Sequence, residues 1–333
     1  MRAPGFWWRE PGVASALLSP FAAIYGAVAA RRLAQPGARV GIPVICVGNP
    51  TVGGAGKTPA AIAIARLLIA AGEKPFLLTR GYGGALTGPV LVAPTHRAAE
   101  VGDEPLLLAR VAPTVVARER VTGARCAEQQ GASVIVMDDG FQNPSLAKDF
   151  SLLVIDGMRG VGNGRVLPAG PLRAPLDIQL ARADALLLVG GESAAAGAAT
   201  RSRAIPVFRG TLDPDPDTVA LLRGRRVLAF AGIGDPEKFF ATLQAVGIEA
   251  PLRRNFGDHH RYDVGEARAL MHEAEQHGLD LVTTEKDHAR LSGEAALEAL
   301  AVRARALPVT MEIARADEFA RLVLGACEKF RRA

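Results

Sequence analysis

The segment between Gly48 and Thr58 places the strongest constraint on the fold of this chain. It reads Gly-Asn-Pro-Thr-Val-Gly-Gly-Ala-Gly-Lys-Thr and lies between the apolar run Val44–Val47 and a helical pattern over 60–71. A glycine-rich turn between a strand and a helix lets backbone N–H groups surround phosphate oxygens, and the helix start adds positive potential. Lys57 would then reach the β- and γ-phosphates of a nucleoside triphosphate, and Thr58 would contact Mg²⁺. A glycine-rich turn without a ligand is the less favoured interpretation.

The match to a P-loop is imperfect at one position. A strict P-loop has Gly six residues before the Lys, where this chain has Thr51. Gly-Ala-Gly-Lys-Thr nevertheless stands in the expected strand–helix context. We predict that the nucleotide is bound by Thr51, Gly53, Gly54, Ala55, Gly56, Lys57 and Thr58.

Strand-like runs alternate with helical patterns along the rest of the chain, which is typical of a mostly parallel sheet covered by helices. The sequence therefore predicts an α/β fold: a P-loop-containing, mostly parallel sheet flanked by helices, with a second, smaller α/β domain. We assign residues 1–32 to an N-terminal membrane-associating helical segment and 33–222 to the P-loop domain. Residues 223–333 are assigned to the smaller domain, which contributes to the active-site cleft.

The N-terminal segment from Gly12 to Ala30 contains no charged residue. Trp7, Trp8 and Arg9 precede it and two arginines follow it, an arrangement suited to a bilayer interface. Three interpretations compete: a membrane-embedded or interface-lying helix, a helix buried in the globular domain, and a cleaved signal peptide. We favour the first, because aromatic and basic residues flank the apolar stretch. The signal peptide is disfavoured, because cleavage would send a triphosphate-binding domain away from cytosolic ATP.

Composition limits which cellular compartment and which classes of partner suit this chain. The 333 residues carry a net charge of +5 and three cysteines, Cys46, Cys126 and Cys327, which are far apart and form no C-x-x-C. Neither a disulfide framework nor a zinc site is therefore indicated, in agreement with a reducing compartment. A basic balance suits an anionic membrane or a phosphorylated substrate. Nucleic acid is not expected, because no basic run has interleaved aromatic residues.

Two acidic residues, Asp138 and Asp139, follow the apolar run Val134–Met137, about eighty residues after Lys57. A carboxylate at such a strand end can help to hold the metal ion that bridges the phosphates. A solvated turn is the alternative, which the P-loop makes less favoured. We predict that Asp138 and Asp139, with Thr58, lie at the metal.

Two further acidic clusters each allow more than one interpretation. Asp103 and Glu104 stand at a helix start, where acids are commonly favourable with the helix dipole alone. Asp258 precedes His259 and His260, and a single histidine beside a carboxylate suits proton removal. Two adjacent histidines on an extended chain point apart, so a chelate that uses both is not expected.

Taken together, seven stretches resemble one family, the tetraacyldisaccharide 4′-kinases, which phosphorylate the lipid A disaccharide in Gram-negative bacteria. The stretches occur in the family's order and cover most of the chain: Val47–Asn49 with Thr51–Pro59, Thr79–Gly83, Val101–Pro105, Asp138–Gln142, Leu167–Arg173, Phe256 with Asp258–His260, and Thr283–Asp287. The resemblance implies ATP- and Mg²⁺-dependent phosphorylation of the 4′-hydroxyl of a tetraacylated glucosamine disaccharide 1-phosphate. It also implies action at the cytoplasmic face of the inner membrane, by a peripheral or N-terminally anchored enzyme.

The resemblance also suggests roles for single residues. It raises Asp103 to a candidate base that works with a histidine, for which we prefer His259 over His260, and it makes Glu104 a possible metal contact. The residues assigned to the substrate are Arg80, Tyr82, Gln142 and Arg173.

Two residues depart from the family pattern, because Asn143 stands where His is frequent and Ala174 where Glu is frequent. The main rival is a nucleotide-gated targeting or switch ATPase with a deviant P-loop, but such proteins carry an extra Lys where this chain has Val52. A non-catalytic membrane-associated binding protein is the second rival.

Overall fold

Two sheets organise the chain in the computed structural model, which describes residues 3–193, 195–197 and 205–333. Within those ranges, the larger sheet has nine strands in the order β13-β8-β7-β6-β1-β5-β2-β4-β3. Its strands are β1 Val44–Gly48, β2 Pro75–Thr79, β3 Val90–Leu91, β4 Thr114–Val116, β5 Val134–Asp138, β6 Phe150–Asp156, β7 Ala185–Val189, β8 Val207–Pro214 and β13 Val309–Ile313. The pairs β3–β4 and β8–β13 are antiparallel and the other pairs are parallel.

The smaller sheet is entirely parallel among the described strands, in the order β10-β9-β11-β12. It comprises β9 Arg226–Ala231, β10 Glu249–Asn255, β11 Asp280–Thr284 and β12 Ala304–Leu307. The predicted α/β fold, with a P-loop sheet that is mostly parallel and a second sheet, is confirmed.

The described helices cover the faces of both sheets, after a short 3-10 turn at Gly5–Trp8. They are α1 Val13–Leu33, α2 Lys57–Ala70, α3 Ala98–Val101, α4 Asp103–Ala109, α5 Arg120–Gln129, α6 Leu176–Leu180, α7 Pro216–Leu222, α8 Pro236–Ala245, α9 Val264–His277, α10 Glu285–Leu291, α11 Glu298–Arg303 and α12 Ala316–Arg332.

The core of the larger unit lies on both faces of its sheet. All residues of β1 and β5 are buried, as expected of parallel strands that helices cover on two sides. On one face Ile64 and Leu68 of α2 pack with Phe208 and Phe319, whose ring centroids are 5.1 Å apart. Burial on both faces fixes the register of β1 against β5, with Val47 beside Asp138. The carboxyl ends of these two strands therefore meet at one edge of the sheet, where ligands of open α/β sheets bind.

The C-terminal segment differs from the predicted domain division. We expected residues 223–333 to form the smaller unit, but β13 pairs antiparallel with β8 and α12 packs on α2. The strand over Val309–Ile313 was predicted as an element, but not its return to the larger sheet. Met311 and Phe319 bury their side chains in the core of the larger unit. This core offers the segment a large apolar surface to cover, which favours its packing there. The smaller unit is thus inserted between β8 and β13.

The N-terminal helix α1 lies on the surface of the larger unit. Among the described residues, it is the one helix whose length and composition would allow it to cross a membrane. Only 17% of its most apolar 18-residue stretch is buried. Ser15 donates its hydroxyl to the carbonyl of Ala169 at 3.0 Å, and Gly26 lies against Val166 and Pro175. The interpretation as a helix buried in the globular core is therefore wrong for α1.

Candidate active site

The turn between β1 and α2 has the backbone shape of a phosphate-binding loop. Gly53 and Gly56 have φ of +112° and +90°, which a residue with a side chain adopts only with strain. Asn49 is buried, and its amide donates to the carbonyl of Gly53 at 3.2 Å, which closes the turn. The first N–H groups of α2 follow this turn directly and have no partner within the helix, so a phosphate at the turn would meet unpaired donors.

Thr51 occupies the position where a strict P-loop has glycine. It is buried, and its carbonyl accepts a hydrogen bond from Arg173 Nε at 3.1 Å. The next residue, Val52, donates its N–H to the carbonyl of Pro171 at 2.9 Å. The loop around Pro171–Arg173 therefore supports the backbone at Thr51, and a left-handed glycine is not needed there.

Thr58 and Asp138 lie together beneath this turn. The hydroxyl of Thr58 donates to Asp138 Oδ2 at 3.0 Å, and Asp138 Oδ1 is buried without a hydrogen-bond partner. Burial, with the charges of Glu104 and Asp139, raises the pKa of Asp138 to about 7. A divalent cation would satisfy the unpaired oxygen and lower that pKa, so these groups fit a metal.

The metal would rely on few protein ligands. Among the described residues, no three His, Cys, Asp or Glu side chains are grouped so that they could hold a metal ion by themselves. Mg²⁺ commonly uses one or two carboxylates together with water and substrate phosphates. The donor set therefore fits Mg²⁺ on a nucleotide better than a metal enclosed by protein.

Asp139 lies between two cations. Its Oδ1 accepts from Arg173 Nη1 at 2.9 Å and is 3.8 Å from Lys57 Nζ. Burial acts to raise the pKa of Asp139, but the charges of Lys57 and Arg173 outweigh it and lower the pKa. Gln142 joins the same network, because its Nε2 donates to the carbonyl of Asn49 at 2.8 Å and its Oε1 lies 3.4 Å from Arg173 Nη1. Arg173 and Gln142 thus support the phosphate-binding turn in this structure.

Asp103, at the start of α4, meets residues of the smaller unit. Its Oδ1 lies 3.3 Å from His259 Nδ1, and its Oδ2 accepts from Arg290 Nε at 2.9 Å. Burial acts to raise the pKa of Asp103, but the hydrogen bond from His259 and the charges of Arg290 and Lys286 hold it well below its usual range. Asp103 is therefore a buried, ionised carboxylate.

His259 is the more exposed member of this pair. It has φ of +54°, and its ring lies 4.8 Å from that of Tyr82. Burial acts to lower the pKa of His259, but the hydrogen bond to Asp103 and the negative charges around the ring raise it overall.

His260 has a different set of partners. Its Nε2 lies 2.8 Å from Glu266 Oε2, and its ring stacks on Phe256 at 4.8 Å. The structure therefore brings His259, and not His260, to Asp103.

The remaining predicted site residues are Glu104, Tyr82 and Arg80. Glu104 Oε1 accepts from Lys286 Nζ at 2.6 Å, which leaves the other carboxylate oxygen for a metal contact. Tyr82 is 61% exposed, and Arg80 is exposed at the end of β2 without a hydrogen bond or ion pair to any described residue. Both side chains are exposed enough to contact a substrate, and Tyr82 would do so beside the ring of His259.

Three comparisons with known proteins agree on one family. A family model described as tetraacyldisaccharide-1-P 4′-kinase matches residues 14–328. The chain belongs to this family. Proteins named tetraacyldisaccharide 4′-kinase from Rhodopseudomonas palustris (strain BisA53) and Bradyrhizobium sp. (strain BTAi1 / ATCC BAA-1182) are each 56% identical to it. The first alignment covers 97% of this chain and 95% of the relative, and the second covers 94% and 91%.

A solved structure has the same fold. The "apo" form of LpxK from Aquifex aeolicus, in complex with ATP, superposes with a TM-score of 0.72 at 26% identity. The match covers 95% of this chain and 100% of that chain.

The two departures from the family pattern have local structural roles here. Asn143 Oδ1 accepts from the N–H of Ser145 at 2.9 Å, and the carbonyl of buried Ala174 accepts from Gln179 Nε2 at 2.7 Å. Three residues of α10 that contact the site, Lys286, Asp287 and Arg290, received no role from the sequence. The only sequence signal that pointed to this helix was the stretch Thr283–Asp287, which is part of the resemblance to the tetraacyldisaccharide 4′-kinases.

Proposed function

We propose that this chain transfers the γ-phosphate of ATP to the 4′-hydroxyl of a tetraacylated glucosamine disaccharide 1-phosphate. The observation that carries the proposal is the approach of the turn that ends in Lys57 and Thr58 to the segment that holds the Asp103–His259 pair. A side-chain carbon placed on Gly234 would lie 3.5 Å from the N atom of Gly54 in the turn and 3.4 Å from Oδ2 of Asp258, the neighbour of His259. The first suits a triphosphate, and the second suits removal of a proton from an alcohol. The names of the relatives and the ATP complex of the Aquifex aeolicus protein support the choice of substrates.

The residues around the turn would bind and orient the triphosphate. We assign Thr51, Gly53–Gly56 and Lys57 to the phosphates, with Arg173 and Gln142 holding the turn. Bound Mg²⁺, held by Thr58, Asp138 and Asp139, would neutralise charge on the transferring phosphoryl group. Alignment and these fixed positive charges are expected to supply most of the rate enhancement.

The Asp103–His259 pair would remove the proton of the acceptor hydroxyl. Both oxygens of Asp103 have partners, and the residue is 2% exposed, so we assign proton uptake to Nε2 of His259. Asp103 would fix the ring orientation through Nδ1 and stabilise the charge that develops on it. Arg80 and Tyr82 are assigned to the sugar and its 1-phosphate.

Incubation with labelled ATP, Mg²⁺ and the tetraacyl disaccharide 1-phosphate tests this function. Labelled bisphosphorylated lipid is the expected product. ATP hydrolysis without a labelled lipid would favour the switch ATPase, and ATP binding without turnover would favour the binding protein.

The pH dependence of kcat/KM should identify the histidine. His259 must be neutral to take up a proton, and its pKa lies above the ordinary value of 6.5, so kcat/KM should rise with pH through a midpoint above 6.5. Asp258 Oδ1 lies 3.8 Å from His259 Nε2 and helps to raise that pKa. Asp258→Asn should therefore move the acid limb to lower pH. Glu266→Gln alters the partner of His260 and keeps a side-chain oxygen that can accept the N–H of Asp263, so it should leave the acid limb in place. The opposite pattern would assign the role to His260.

We also propose that α1 lies in the membrane interface and presents the site to the lipid. Val13, Leu17, Phe21, Ile24 and Val28 are 55% to 78% exposed, and their spacing of three and four places them on one side of the helix. The opposite side packs on the loop that contains Ala169, which leaves the apolar stripe for a bilayer. Arg31 and Arg32 at the end of α1 suit anionic headgroups of the cytoplasmic leaflet.

Replacing Leu17, Phe21 and Ile24 together by Asn should release the protein from vesicles. Each removes an apolar side chain worth about 1.5–3 kcal/mol when it is fully buried, so the partition coefficient should fall by at least about 10²-fold. Co-sedimentation with vesicles that contain anionic lipid measures the effect. The matched control replaces Leu221 and Val302, exposed residues elsewhere on the surface, by Asn. Equal binding by the α1 variant and the control would contradict the proposal.

A further inference from the structure

Two adjacent ion pairs join helix α10 of the smaller unit to the start of α4 of the larger unit. Lys286 and Arg290 are four residues apart and therefore lie on one side of α10. Lys286 Nζ donates to Glu104 Oε1 at 2.6 Å, and Arg290 Nε donates to Asp103 Oδ2 at 2.9 Å. The carboxylate that pairs with His259 is thus fixed from the other unit.

The guanidinium of Arg290 contacts Asp103 directly and is linked to His259 through the carbonyl of Gly232. Its Nε and Nη2 both lie within 2.9 Å of Asp103 Oδ2, which leaves Oδ1 for His259. Its Nη1 donates to the carbonyl of Gly232 at 2.9 Å. The same carbonyl accepts the backbone N–H of His259 at 3.0 Å. One planar group therefore links the side chain of the acid to the backbone of the histidine.

Asp287 holds Arg290 in this place. It is fully buried, and its Oδ1 accepts from Arg290 Nη1 at 2.8 Å, from the N–H of Gly232 at 2.9 Å and from the hydroxyl of Tyr262 at 2.7 Å. Thr284 donates to the other oxygen at 2.5 Å. Because every side of the carboxylate is occupied, Arg290 has little freedom to turn away.

The turn that this network holds also faces the phosphate-binding loop. A side-chain carbon placed on Gly234 would come within 3.5 Å of the N atom of Gly54. Gly232, whose N–H donates to Asp287 and whose carbonyl accepts from Arg290, lies two residues before Gly234. The network therefore fixes the acid and the histidine together with the surface that faces the nucleotide.

We propose that Arg290, held by Asp287, is a positioning residue that sets Asp103 and His259 relative to each other across the two units. It acts through this pair and contacts neither the nucleotide nor the lipid. The inference rests on the proposed phosphoryl transfer and assigns this reaction a group outside the reacting atoms. A shift of the pair by about 1 Å is enough to lower turnover by up to 10²-fold.

The test compares Arg290→Gln with Arg110→Gln in the lipid phosphorylation assay. Arg110 pairs with Glu285 at 3.4 Å across the same two helices but contacts neither Asp103 nor His259. Arg290→Gln should lower kcat by about 30-fold with KM for ATP within about 3-fold, since geometry at the base is lost while the phosphate turn remains. Arg110→Gln should keep kcat within about 2-fold, as expected for an exposed ion pair.

A double variant separates positioning from general support of the fold. In the Asp103→Asn background, Arg290→Gln should cause less than about 3-fold further loss of kcat, because residues that act through one group are not additive. An equal loss in both backgrounds, or a single variant with kcat within about 3-fold of wild type, would overturn the proposal.

Arg290→Lys provides a second variant if Arg290→Gln unfolds at the assay temperature. It keeps the charge beside Asp103 but cannot also bridge to the carbonyl of Gly232, so kcat should be about 10-fold below wild type. Wild-type kcat in this folded variant would equally overturn the inference. Wild-type protein in the same assay separates the role of Arg290 from the proposed function. If the wild-type protein yields no labelled lipid, the proposed function is refuted, and not the role of Arg290.

Discussion

Replacing Asp103 by Asn is expected to lower kcat for lipid phosphorylation by about 10³-fold while ATP binding stays within a few-fold of wild type. The amide keeps the shape of the carboxylate but not its charge. His259 would lose the partner that orients Nδ1 and stabilises the protonated ring. Nucleotide affinity should persist, because Asp103 makes no contact with the residues of the phosphate-binding turn that the structure describes.

The measurement combines single-turnover kinetics with calorimetric binding of ATP and Mg²⁺. Thermal unfolding must accompany it, because Asp103→Asn leaves buried Arg290 with a weaker partner, and breaking a buried pair costs about 3–5 kcal/mol at most. Asp280→Asn removes an exposed carboxylate of the smaller unit that pairs with Arg225, and it serves as the matched control. A folded Asp103→Asn protein with kcat within about 10-fold of wild type would remove Asp103 from the chemistry.

Replacing Lys57 by Ala is expected to lower kcat/KM by about 10²- to 10³-fold and to weaken ATP binding as well. Lys57 Nζ lies beside the turn, 3.8 Å from Asp139 Oδ1, and only 12% of its side chain is exposed. Its charge would act on the triphosphate both in the bound state and during transfer, so both parameters should change. The Asp103→Asn variant should change kcat alone, so the two substitutions can be told apart.

Lys74→Ala is the control for Lys57→Ala. Lys74 precedes β2 at the opposite end of the same sheet and is exposed. Its removal changes the net charge by the same amount without touching the turn. If both alanine variants bound ATP equally well, Lys57 would not be a phosphate ligand.

Local motifs carried the sequence prediction of the nucleotide side of the site. The residues from Thr51 to Thr58 are contiguous, and one strand–turn–helix unit determines their geometry. The place of Asp138 could also be predicted, because an apolar strand that ends in an acid indicates both the burial and the position of that acid. Patterns of this kind are local, so they survive without knowledge of the tertiary structure.

The contacts between the two units could not be predicted from local sequence patterns. Arg290 and Asp103 are separated by 187 positions, and no local pattern states that α10 packs on α4. Resemblance supplied His259, but only the geometry distinguished it from His260, whose partner is Glu266. The return of β13 to the larger sheet was missed because an amphipathic strand and helix can cover either core.

The insertion of the smaller unit between β8 and β13 has a consequence for how the protein is made. The phosphate-binding turn packs near β13, since Met311 would lie 3.4 Å from a side-chain carbon on Gly56. During translation, this edge of the larger unit stays open until the ribosome has produced the whole insert. Folding of an inserted unit before its host is complete is expected of domains that fold as they emerge. Nascent chains should therefore acquire nucleotide affinity only after α12 has left the exit tunnel.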